Sequence, residues 1–355
     1  MVKKYRVIQW AIGSVGRAAV RMMLKKQSLE IVGAIVYTPE KVGRDIGELL
    51  DLDKTGVIAS DNADEVLQTD ADIVLIMTPA SMMYKGNWDE NVAQISKALK
   101  AKKNVITTVG FMYPWATHPE MSQHLDRLAK ENGVTLLGTG LDSGFIFDDL
   151  VLTLTSSQAR VDRITIRHCE LLMSDRPHLM GYDSLLIQEE MFGIGLIPEE
   201  FEKRISRRMV NYLATIYGES AYLVADILGW KLTKVEPRLE SYTAKEPLKA
   251  PFMEIKPGTI CAHKLTLEWL REKETAFSLE YSVVAFPEKV KDVGEPGQSI
   301  WIDGRPACGI EFKGDLVDWG LLSTAAHAVN AIPRVVEAPP GFVCLIDLPL
   351  VTSIQ

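Results

Sequence analysis

Short apolar runs alternate with amphipathic helical stretches through about residue 150, and this alternation limits the fold of the chain more than any other feature. The runs are almost continuously apolar, as the strands of a parallel sheet must be when helices cover both of its faces. They read "YRVIQWAI", "LEIVGAIVY", "ADIVLIM", "KNVITT" and "GVTLLGT". The pattern predicts an α/β fold in which residues 1–149 form a Rossmann domain, a doubly wound parallel sheet.

Two of the helical stretches between these runs carry signals for their ends. Asn87 and Glu90 have the spacing of a helix N-cap and its third residue, so we expect Asn87 to cap a helix. Another apolar face, which includes Met121 and Leu125, is followed by Gly133, and glycine can close a helix in the left-handed conformation. Each helix therefore has one face to pack on the sheet.

The pattern changes after residue 149. The stretch "VDRITIRHCEL" alternates polar and apolar residues, and strand-like runs between Pro and Gly turns follow a long helical stretch. Alternation is typical of an antiparallel sheet with one covered face and one face open to water or to a partner. We therefore predict a second α+β domain over 150–318, built on an open, largely antiparallel sheet. The tail, 319–355, begins with a helix that we expect to break at Pro333, and we expect it to return to the first domain.

Composition and charge exclude several classes of protein. A length of 355 residues suits two domains, and a net charge of −8 argues against a nucleic-acid or anionic-membrane partner, which would need a basic face. No run of about 18 apolar residues is present, so we expect no membrane-spanning helix. The N-terminus does not have the pattern of a signal peptide. We expect a cytoplasmic protein.

The four cysteines are far apart and have no metal-ligand spacing; they are Cys169, Cys261, Cys308 and Cys344. Neither a zinc site nor a disulfide framework is indicated. Buried free thiols in a reducing compartment are the simpler interpretation, and we expect no metal.

A glycine turn follows the first apolar run. In "AIGSVGR", Ala11, Gly13 and Gly16 occupy the frame G-x-G-x-x-G, with alanine in place of the first glycine. Gly13 allows the backbone to approach a pyrophosphate, Gly16 allows close packing of helix on strand, and the amides of the next helix attract an anion. Because the turn opens the first strand–helix unit of an α/β domain, it predicts dinucleotide binding rather than a plain tight turn.

The end of the second strand decides between NAD and NADP. A carboxylate there would bind the adenosine ribose, and a cation or hydroxyl would accept a 2′-phosphate. Tyr37 and Thr38 stand where the acid would be, Lys41 and Arg44 lie just beyond, and the acid Glu40 follows a proline. This favours NADP. NAD stays possible, since both cations could instead be solvated.

Two further strands of this domain end in hydroxyl residues. Thr78 and Pro79 follow "IVLIM", and Thr107 and Thr108 follow "VI". The carboxyl ends of parallel strands form the ligand crevice of such sheets, so these residues can touch the ribose or nicotinamide. The alternative is that the threonines cap a helix or turn.

Several segments together resemble a known family. They are "VIQWAIGSVGRAA", "YTPEKVGRDIGEL", "ITTVGFMYPW", "GTGLDSGF" and "NAIPRVVEAPPGF". In order along nearly the whole chain, they resemble the dihydrodipicolinate-reductase-like enzymes, and most closely the branch of 2,4-diaminopentanoate dehydrogenases and native amine dehydrogenases. The resemblance implies an NAD(P)H-dependent oxidoreductase with a second domain that closes the site and pairs with a partner subunit, hence a homodimer.

The resemblance also implies a set of cofactor contacts in the turn, the loop after the second strand, and the strand ends. The candidates are Ala11, Gly13, Ser14, Val15, Gly16, Arg17, Thr38, Lys41, Arg44, Thr78, Pro79 and Thr108.

One residue departs from the branch. Amine dehydrogenases reduce the imine formed from a ketone and ammonia, which requires a group that holds ammonium near the carbonyl and deprotonates it. In the branch, that group is a glutamate just after the threonine pair, whereas this chain has Gly110. "TTVGF" instead resembles the loop of the dihydrodipicolinate reductases, in which the glycine permits backbone approach to the nicotinamide.

Besides Gly110 itself, four other residues are candidates for the role of the glutamate. They are Tyr113, Asp142, His168 and Glu170. Asp142 could equally cap the following helix, His168 could be a structural histidine, and Glu170 could face water. The sequence does not choose among them.

The resemblance leaves three functions open. The leading hypothesis is an amine dehydrogenase-like enzyme that aminates a small apolar ketone and, in reverse, deaminates the amine. The basic motif with which dihydrodipicolinate reductases grip a dicarboxylate has no counterpart, so we do not expect a dianionic substrate. Without the glutamate, the alternatives are an imine or carbonyl reductase that does not use ammonia, and a non-catalytic NADP-binding sensor. A separate alternative is an enzyme from which the acid was deliberately removed.

Overall fold

The chain forms two compact units. The computed structural model describes residues 3–171, 190–249, 253–314 and 320–354. The first unit contains Met1–Phe145 and Leu321–Gln355, and the second contains Ile146–Gly320. Within the described residues, no helix is long and apolar enough to cross a membrane. None of the four cysteines is in a disulfide.

The first unit is built on a seven-stranded sheet whose strands are all parallel. In chain order the strands are β1 (Tyr5–Trp10), β2 (Leu29–Ile35), β3 (Ala59–Ser60), β4 (Ile73–Ile76), β5 (Asn104–Thr107), β6 (Thr135–Gly138) and β15 (Gly341–Val343). They are arranged β15-β6-β5-β4-β1-β2-β3. All four residues of β4 and of β6 are buried, as the continuous apolar runs predict for strands with both faces covered. The Rossmann fold is confirmed.

Helices connect these strands. They are α1 (Ser14–Met23), α2 (Ala63–Val66), α3 (Ser81–Lys85), α4 (Asp89–Lys100), α5 (Pro119–Asn132) and, from the tail, α9 (Gly320–Val336). Gly133 caps α5 with φ 70°, as predicted. The prediction for Asn87 is wrong by one residue, because Trp88 is the N-cap of α4 and Asn87 instead accepts a bond from the Asp89 amide at 3.3 Å.

The tail adds both a helix and a strand to the first unit. β15 pairs with β6, with Phe342 opposite Leu136, and α9 packs Ala328 and Val329 into the same buried cluster as Val7 and Leu75. The prediction that the helix breaks at Pro333 is wrong, since α9 continues to Val336. A proline in the last turn removes one backbone bond but leaves the remaining ones intact.

The second unit is built on a mixed six-stranded sheet. Its strands are β7 (Arg160–Leu171), β8 (Leu232–Thr243), β11 (Ile260–Arg271), β12 (Glu274–Val284), β13 (Gly297–Arg305) and β14 (Cys308–Glu311). They are arranged β14-β13-β7-β12-β11-β8, and every neighbouring pair is antiparallel except β7 with β12. The open, largely antiparallel sheet is confirmed. A separate two-stranded ribbon pairs β9 (Leu248–Lys249) with β10 (Glu254–Ile255).

Helices of the second unit are α6 (Asp149–Thr155), α7 (Pro198–Phe201) and α8 (Arg207–Ile227). A π-helical segment, Glu202–Ser206, joins α7 to α8. The long helix α8 contacts β8 and β11.

A buried carboxylate shapes the loop after β2, which leads into β3. Asp45 accepts hydrogen bonds from the backbone amides of Gly47 and Gly56, each at 2.7 Å, and of Thr55 at 3.0 Å. Burial raises the pKa of Asp45, but the bonds from these amides outweigh burial and hold the pKa below its usual value. The charged carboxylate therefore fixes the loop that carries Lys41 and Arg44.

We predict that Asp45→Asn lowers the free energy of unfolding by about 1–3 kcal/mol at pH 7, because the amide nitrogen cannot accept the bonds that the carboxylate accepts. The folded pKa lies below the unfolded one, near 3.9, so this contribution is present above that pH and is lost as pH falls through the folded pKa. Denaturant unfolding at pH 7, 5 and 3.5 measures it. The exposed Asp53→Asn in the same loop is the matched control. A difference between the two variants that is equally large at pH 3.5 contradicts the prediction.

Candidate cofactor and active site

The turn between β1 and α1 contains an alanine in the left-handed conformation. Ala11 has φ 71°, which costs an L-residue about 1–2 kcal/mol relative to glycine. Its amide donates to Ile35 of β2 at 2.8 Å, and its carbonyl accepts a bond from Gln9 Nε2, also at 2.8 Å. Gln9 is fully buried in β1, an interior strand of the sheet. This side chain, which the sequence analysis missed, stabilises the turn through its hydrogen bond to the Ala11 carbonyl.

Gly16 lies directly against that turn. A Cβ added to Gly16 would lie 2.2 Å from the Ala11 carbonyl oxygen, so no other residue fits without moving the turn. The close packing of helix on strand predicted for Gly16 is present. Gly13 is the N-cap of α1, with φ −85° and ψ −159°, and its carbonyl accepts the first helical bond, from the Arg17 amide.

The amino-terminal end of α1 carries no compensating acid. The first turn contains no Asp or Glu, and Gly13 has no side chain with which to cap it. The amides of Ser14, Val15 and Gly16 have no acceptor among the described side chains. Such an end attracts an anion, because its free amides and the helix dipole both present positive charge.

A cation lies beside the same turn. Lys41, at the end of a short 3₁₀ turn (Pro39–Lys41), donates from Nζ to the Ile12 carbonyl at 3.0 Å. Arg44 is exposed. Among the described residues, none of Lys41, Arg44 and Glu40 forms an ion pair, so the loop presents two unneutralised cations. Arg17 is used differently, since it donates to the Leu49 carbonyl at 2.6 Å.

Tyr37, where a ribose-binding acid would stand, is fixed through its hydroxyl. Trp10 Nε1 donates to that hydroxyl at 2.7 Å and Gln94 Nε2 donates at 3.3 Å, while 54% of the residue stays exposed. A carboxylate is therefore replaced by a tethered aromatic ring. The neighbouring Thr38 precedes the 3₁₀ turn, and its carbonyl accepts from the Lys41 amide.

Thr78, at the end of β4, belongs to the same network. Its hydroxyl donates to Gln94 Oε1 at 2.7 Å and accepts from Asn91 Nδ2 at 3.3 Å, and Asn91 also bonds the Pro79 carbonyl at 3.1 Å. The hydroxyl thus ties β4 to α4, which fits the capping alternative. The proposed cofactor contact at Thr78 would then involve its backbone.

The segment after β5 turns sharply at Gly110, where the resemblance led us to expect a glutamate. Gly110 has φ 96° and Phe111 has φ 66°, so two successive residues are left-handed. A Cβ added to Gly110 would lie 2.9 Å from Trp88 Cη2, and the buried Phe111 ring contacts Trp88 edge-on with centroids 5.1 Å apart. A glutamate at Gly110 is therefore opposed by the backbone and by Trp88. Thr108, which precedes this turn, donates its amide to Ile76 at 3.3 Å.

The end of β6 accommodates that turn through a glycine. A Cβ added to Gly138 would lie 2.0 Å from the Phe111 carbonyl oxygen. The chain then continues through Thr139 into an irregular turn (Asp142–Ile146), in which Gly144 has φ 97°. Asp142 and Tyr113 are both half-buried. The first unit thus contains three of the predicted catalytic candidates, Gly110, Tyr113 and Asp142.

A histidine that the sequence analysis did not consider also lies here. His327 Nδ1, on α9, is 2.9 Å from Thr139 Oγ1, and its ring stacks on Phe145 with centroids 5.0 Å apart. Burial lowers the pKa of His327 to about 4, so the imidazole is neutral at physiological pH. A polar residue in the otherwise apolar run "AAHAV" was the available signal.

The remaining candidates lie in the second unit. His168 is buried, with Nδ1 3.0 Å from Gln298 Nε2, and its ring lies 5.4 Å from that of Tyr281. Glu170 is half-buried and accepts a bond from the Tyr281 hydroxyl at 2.8 Å. The row of residues across β13, β7 and β12 that brings Gln298, His168 and Tyr281 together follows from strand register.

Two family models match the chain. That for the N-terminus of dihydrodipicolinate reductase matches residues 7–139, and that for the C-terminal domain of 2,4-diaminopentanoate dehydrogenase matches residues 145–355. Among individual proteins, 2,4-diaminopentanoate dehydrogenase of Acetoanaerobium sticklandii is 30% identical over 100% of this chain and 96% of its own length. An amine dehydrogenase of Streptomyces virginiae is 26% identical over 97% and 96%.

Solved structures agree with this relationship. The structure of an amine dehydrogenase from Mycobacterium smegmatis matches with a TM-score of 0.78 at 25% identity, over 98% of this chain and 97% of that one. Biliverdin reductase from Synechocystis, solved with biliverdin and NADP+, shares the fold with a TM-score of 0.54 at 13% identity, over 97% of this chain and 94% of that one. By its full-length similarity and both domain matches, the chain belongs to the family of 2,4-diaminopentanoate dehydrogenases and amine dehydrogenases and is an NAD(P)-dependent oxidoreductase.

Proposed function

We propose that the protein is an NADP-dependent amine dehydrogenase that aminates a small apolar ketone with ammonia and, in reverse, deaminates the amine. The observation that carries the proposal is similarity along the entire chain to a diaminopentanoate dehydrogenase and to amine dehydrogenases. A carbonyl or imine reductase that uses no ammonia is the second candidate, because Gly110 stands where a glutamate is expected. A non-catalytic sensor is the third.

The residues of the first unit fit a dinucleotide. The uncapped, acid-free end of α1 would hold the pyrophosphate, and the tight contact between Gly16 and Ala11 keeps side chains away from that end. Gly13, Ser14, Val15 and Gly16 would provide the backbone approach. When bound, the nicotinamide supplies or accepts the hydride. The protein's own part is to orient the dinucleotide and the nitrogen of the substrate.

The preference for NADP rests on the loop after β2. It has no carboxylate at Tyr37 or Thr38, and it presents Lys41 and Arg44 without ion pairs among the described residues. A 2′-phosphate needs such cations, whereas a free ribose needs an acid. Lys41 is well placed because its Nζ already lies at the glycine turn, 3.0 Å from the Ile12 carbonyl oxygen.

The substrate, assembly and location are further parts of the proposal. The sequence lacks a basic motif for a dianion, which supports an uncharged ketone and its amine. The open sheet of the second unit has exposed residues such as Trp301 (50% exposed) and suits pairing with a second copy, so we propose a homodimer. Four unpaired cysteines fit a reducing cytoplasm.

Purified protein with NADPH, ammonium and a panel of small ketones tests the main proposal. We expect NADPH oxidation that requires both ammonium and ketone. Ketone alone and a preformed imine are the controls: oxidation with ketone alone identifies a carbonyl reductase, and oxidation only with the preformed imine identifies an imine reductase. Tight NADPH binding without any turnover identifies the sensor.

Replacing Gly16 tests the nucleotide turn. In Gly16→Ala the new Cβ meets the Ala11 carbonyl oxygen, so the turn shifts and the Kd for NADPH rises at least about tenfold, a loss of about 1.4 kcal/mol. Fluorescence titration with NADPH measures the Kd. Gly320→Ala is the matched control, because a Cβ added to Gly320 at the start of α9 would have no heavy atom within 4 Å. An unchanged Kd in a folded Gly16→Ala variant rejects the assignment of the turn.

Removing the two cations tests nucleotide choice. For Lys41→Ala with Arg44→Ala, we expect the Kd for NADPH to rise at least about tenfold, because charge-assisted bonds to a phosphate are worth about 1.5–3 kcal/mol each. The Kd for NADH should change less than about twofold, since NADH has no 2′-phosphate. The exposed Lys25→Ala is the control. If the Kd for NADPH and the Kd for NADH rise equally, the two cations do not recognise the 2′-phosphate, and the proposed preference for NADP is rejected.

A further inference from the structure

His327 is anchored at the carboxyl end of β6 through one of its two ring nitrogens. Thr139, the residue after β6, is fully buried, and its Oγ1 lies 2.9 Å from His327 Nδ1 and 3.2 Å from the Gly144 carbonyl oxygen. Phe145 stacks on the imidazole with an interplanar angle of 26°. The ring is thus held by a hydrogen bond at Nδ1 and by the stack of Phe145 on its face.

These contacts determine which nitrogen carries the proton. The Thr139 hydroxyl has a single hydrogen, and a carbonyl oxygen can only accept. The contact with Gly144 is therefore a hydrogen bond only if Thr139 donates to it, in which case His327 Nδ1 must donate to Thr139. The neutral ring then has its hydrogen on Nδ1 and a lone pair on Nε2.

The lone pair on Nε2 has no partner among the residues that the structure describes, because the contact with Thr139 and the stack on Phe145 are the contacts of this ring. Burial lowers the pKa of His327 to about 4, so a cation that approaches Nε2 meets an acceptor rather than a positive charge. Neither contact gives Nε2 a structural role.

The position of His327 relates it to the turn that lacks the glutamate. Gly138 packs against the Phe111 carbonyl, as described above, and a Cβ added to Gly140 would lie 3.6 Å from Met112 Cε and 3.7 Å from Thr324 Cγ2. Thr324 lies three residues before His327 on α9 and shares its face. The segment from Gly138 to Gly140 therefore contacts the turn after β5 on one side and α9 on the other.

We propose that His327 Nε2 accepts a hydrogen bond from the ammonium or amine nitrogen of the substrate, and so holds the reacting nitrogen in a chain that has Gly110 in place of the glutamate. This inference rests on the proposed amine dehydrogenase function. No bond is made or broken at the imidazole. Its role is to bind and orient an N–H group beside the carbonyl carbon.

Two variants separate the two nitrogens of the ring. His327→Asn keeps a donor near Nδ1 for Thr139 and removes the acceptor, whereas His327→Gln reaches the place of Nε2 with an amide that can present its oxygen there. We expect His327→Asn to raise the KM for ammonium at least about tenfold, and His327→Gln to recover part of that loss. The Kd for NADPH should stay within about twofold. His124→Asn, on the exposed face of α5, is the control.

A binding measurement that needs no turnover accompanies the kinetics. In the full-length protein with ¹⁵N-labelled histidine and NADP+ bound, His327→Gln assigns the Nε2 resonance. Added ammonium or methylammonium should shift that resonance in the wild type, because the lone pair becomes hydrogen-bonded. The shift is measured on the wild-type chain, and it needs a folded variant only for the assignment, which His327→Asn can supply in place of His327→Gln.

The outcomes distinguish this inference from the proposed function. If the wild type aminates ketones and His327→Asn has an unchanged KM for ammonium, the inference is overturned and the function stands. If the wild type does not turn over, the proposed function fails and the resonance decides: no shift with ammonium overturns the inference, and a saturable shift supports an amine-binding site without catalysis.

Discussion

The hydrogen bond from Gln9 to the Ala11 carbonyl stabilises the turn on which the proposed nucleotide site depends. Gln9 lies in β1, between Ala34 of β2 and Leu75 of β4, with its side chain fully buried. It helps to stabilise an alanine in a conformation that glycine would adopt without cost. The Ala11 carbonyl in turn sets how closely Gly16 and hence α1 approach β1. The direction of the α1 amides therefore depends on a side chain outside the glycine motif.

Sequence reasoning succeeded where the signal is local. The apolar runs predicted the parallel strands because burial on both faces leaves no polar positions, and Gly133 predicted the end of α5 because a left-handed cap favours glycine. It failed at Pro333, where α9 is packed too firmly into the core to end at one lost backbone bond. It also missed Asp45, whose acceptor role depends on amides 10 and 11 residues further along. No sequence spacing predicts that the loop folds back so that these amides reach Asp45.

The glycine at position 110 has a backbone cause that the sequence alone does not reveal. In a left-handed turn with Trp88 2.9 Å from an added Cβ, position 110 accepts glycine and opposes every side chain. The turn that opposes a side chain at position 110 is formed jointly by Gly110, Phe111 and Gly138. A glutamate introduced at position 110 alone would strain the turn. An acid or base beside this turn would have to come from another element.

The same arrangement, a left-handed residue packed against a glycine, follows two strands of the sheet. After β1 a left-handed Ala11 is matched by Gly16, and after β5 the left-handed Gly110 and Phe111 are matched by Gly138. At both places close backbone packing excludes a side chain at the glycine, which fits the proposed dinucleotide site but supplies no acid or base. Polar groups must then be brought in by segments remote in sequence. Lys41 comes from the loop after β2 and His327 from the C-terminal helix, 188 residues beyond the threonine it bonds. The glycine motif and the nearby Lys41 were therefore recognisable from sequence, whereas His327, on a helix remote from the motif, was not.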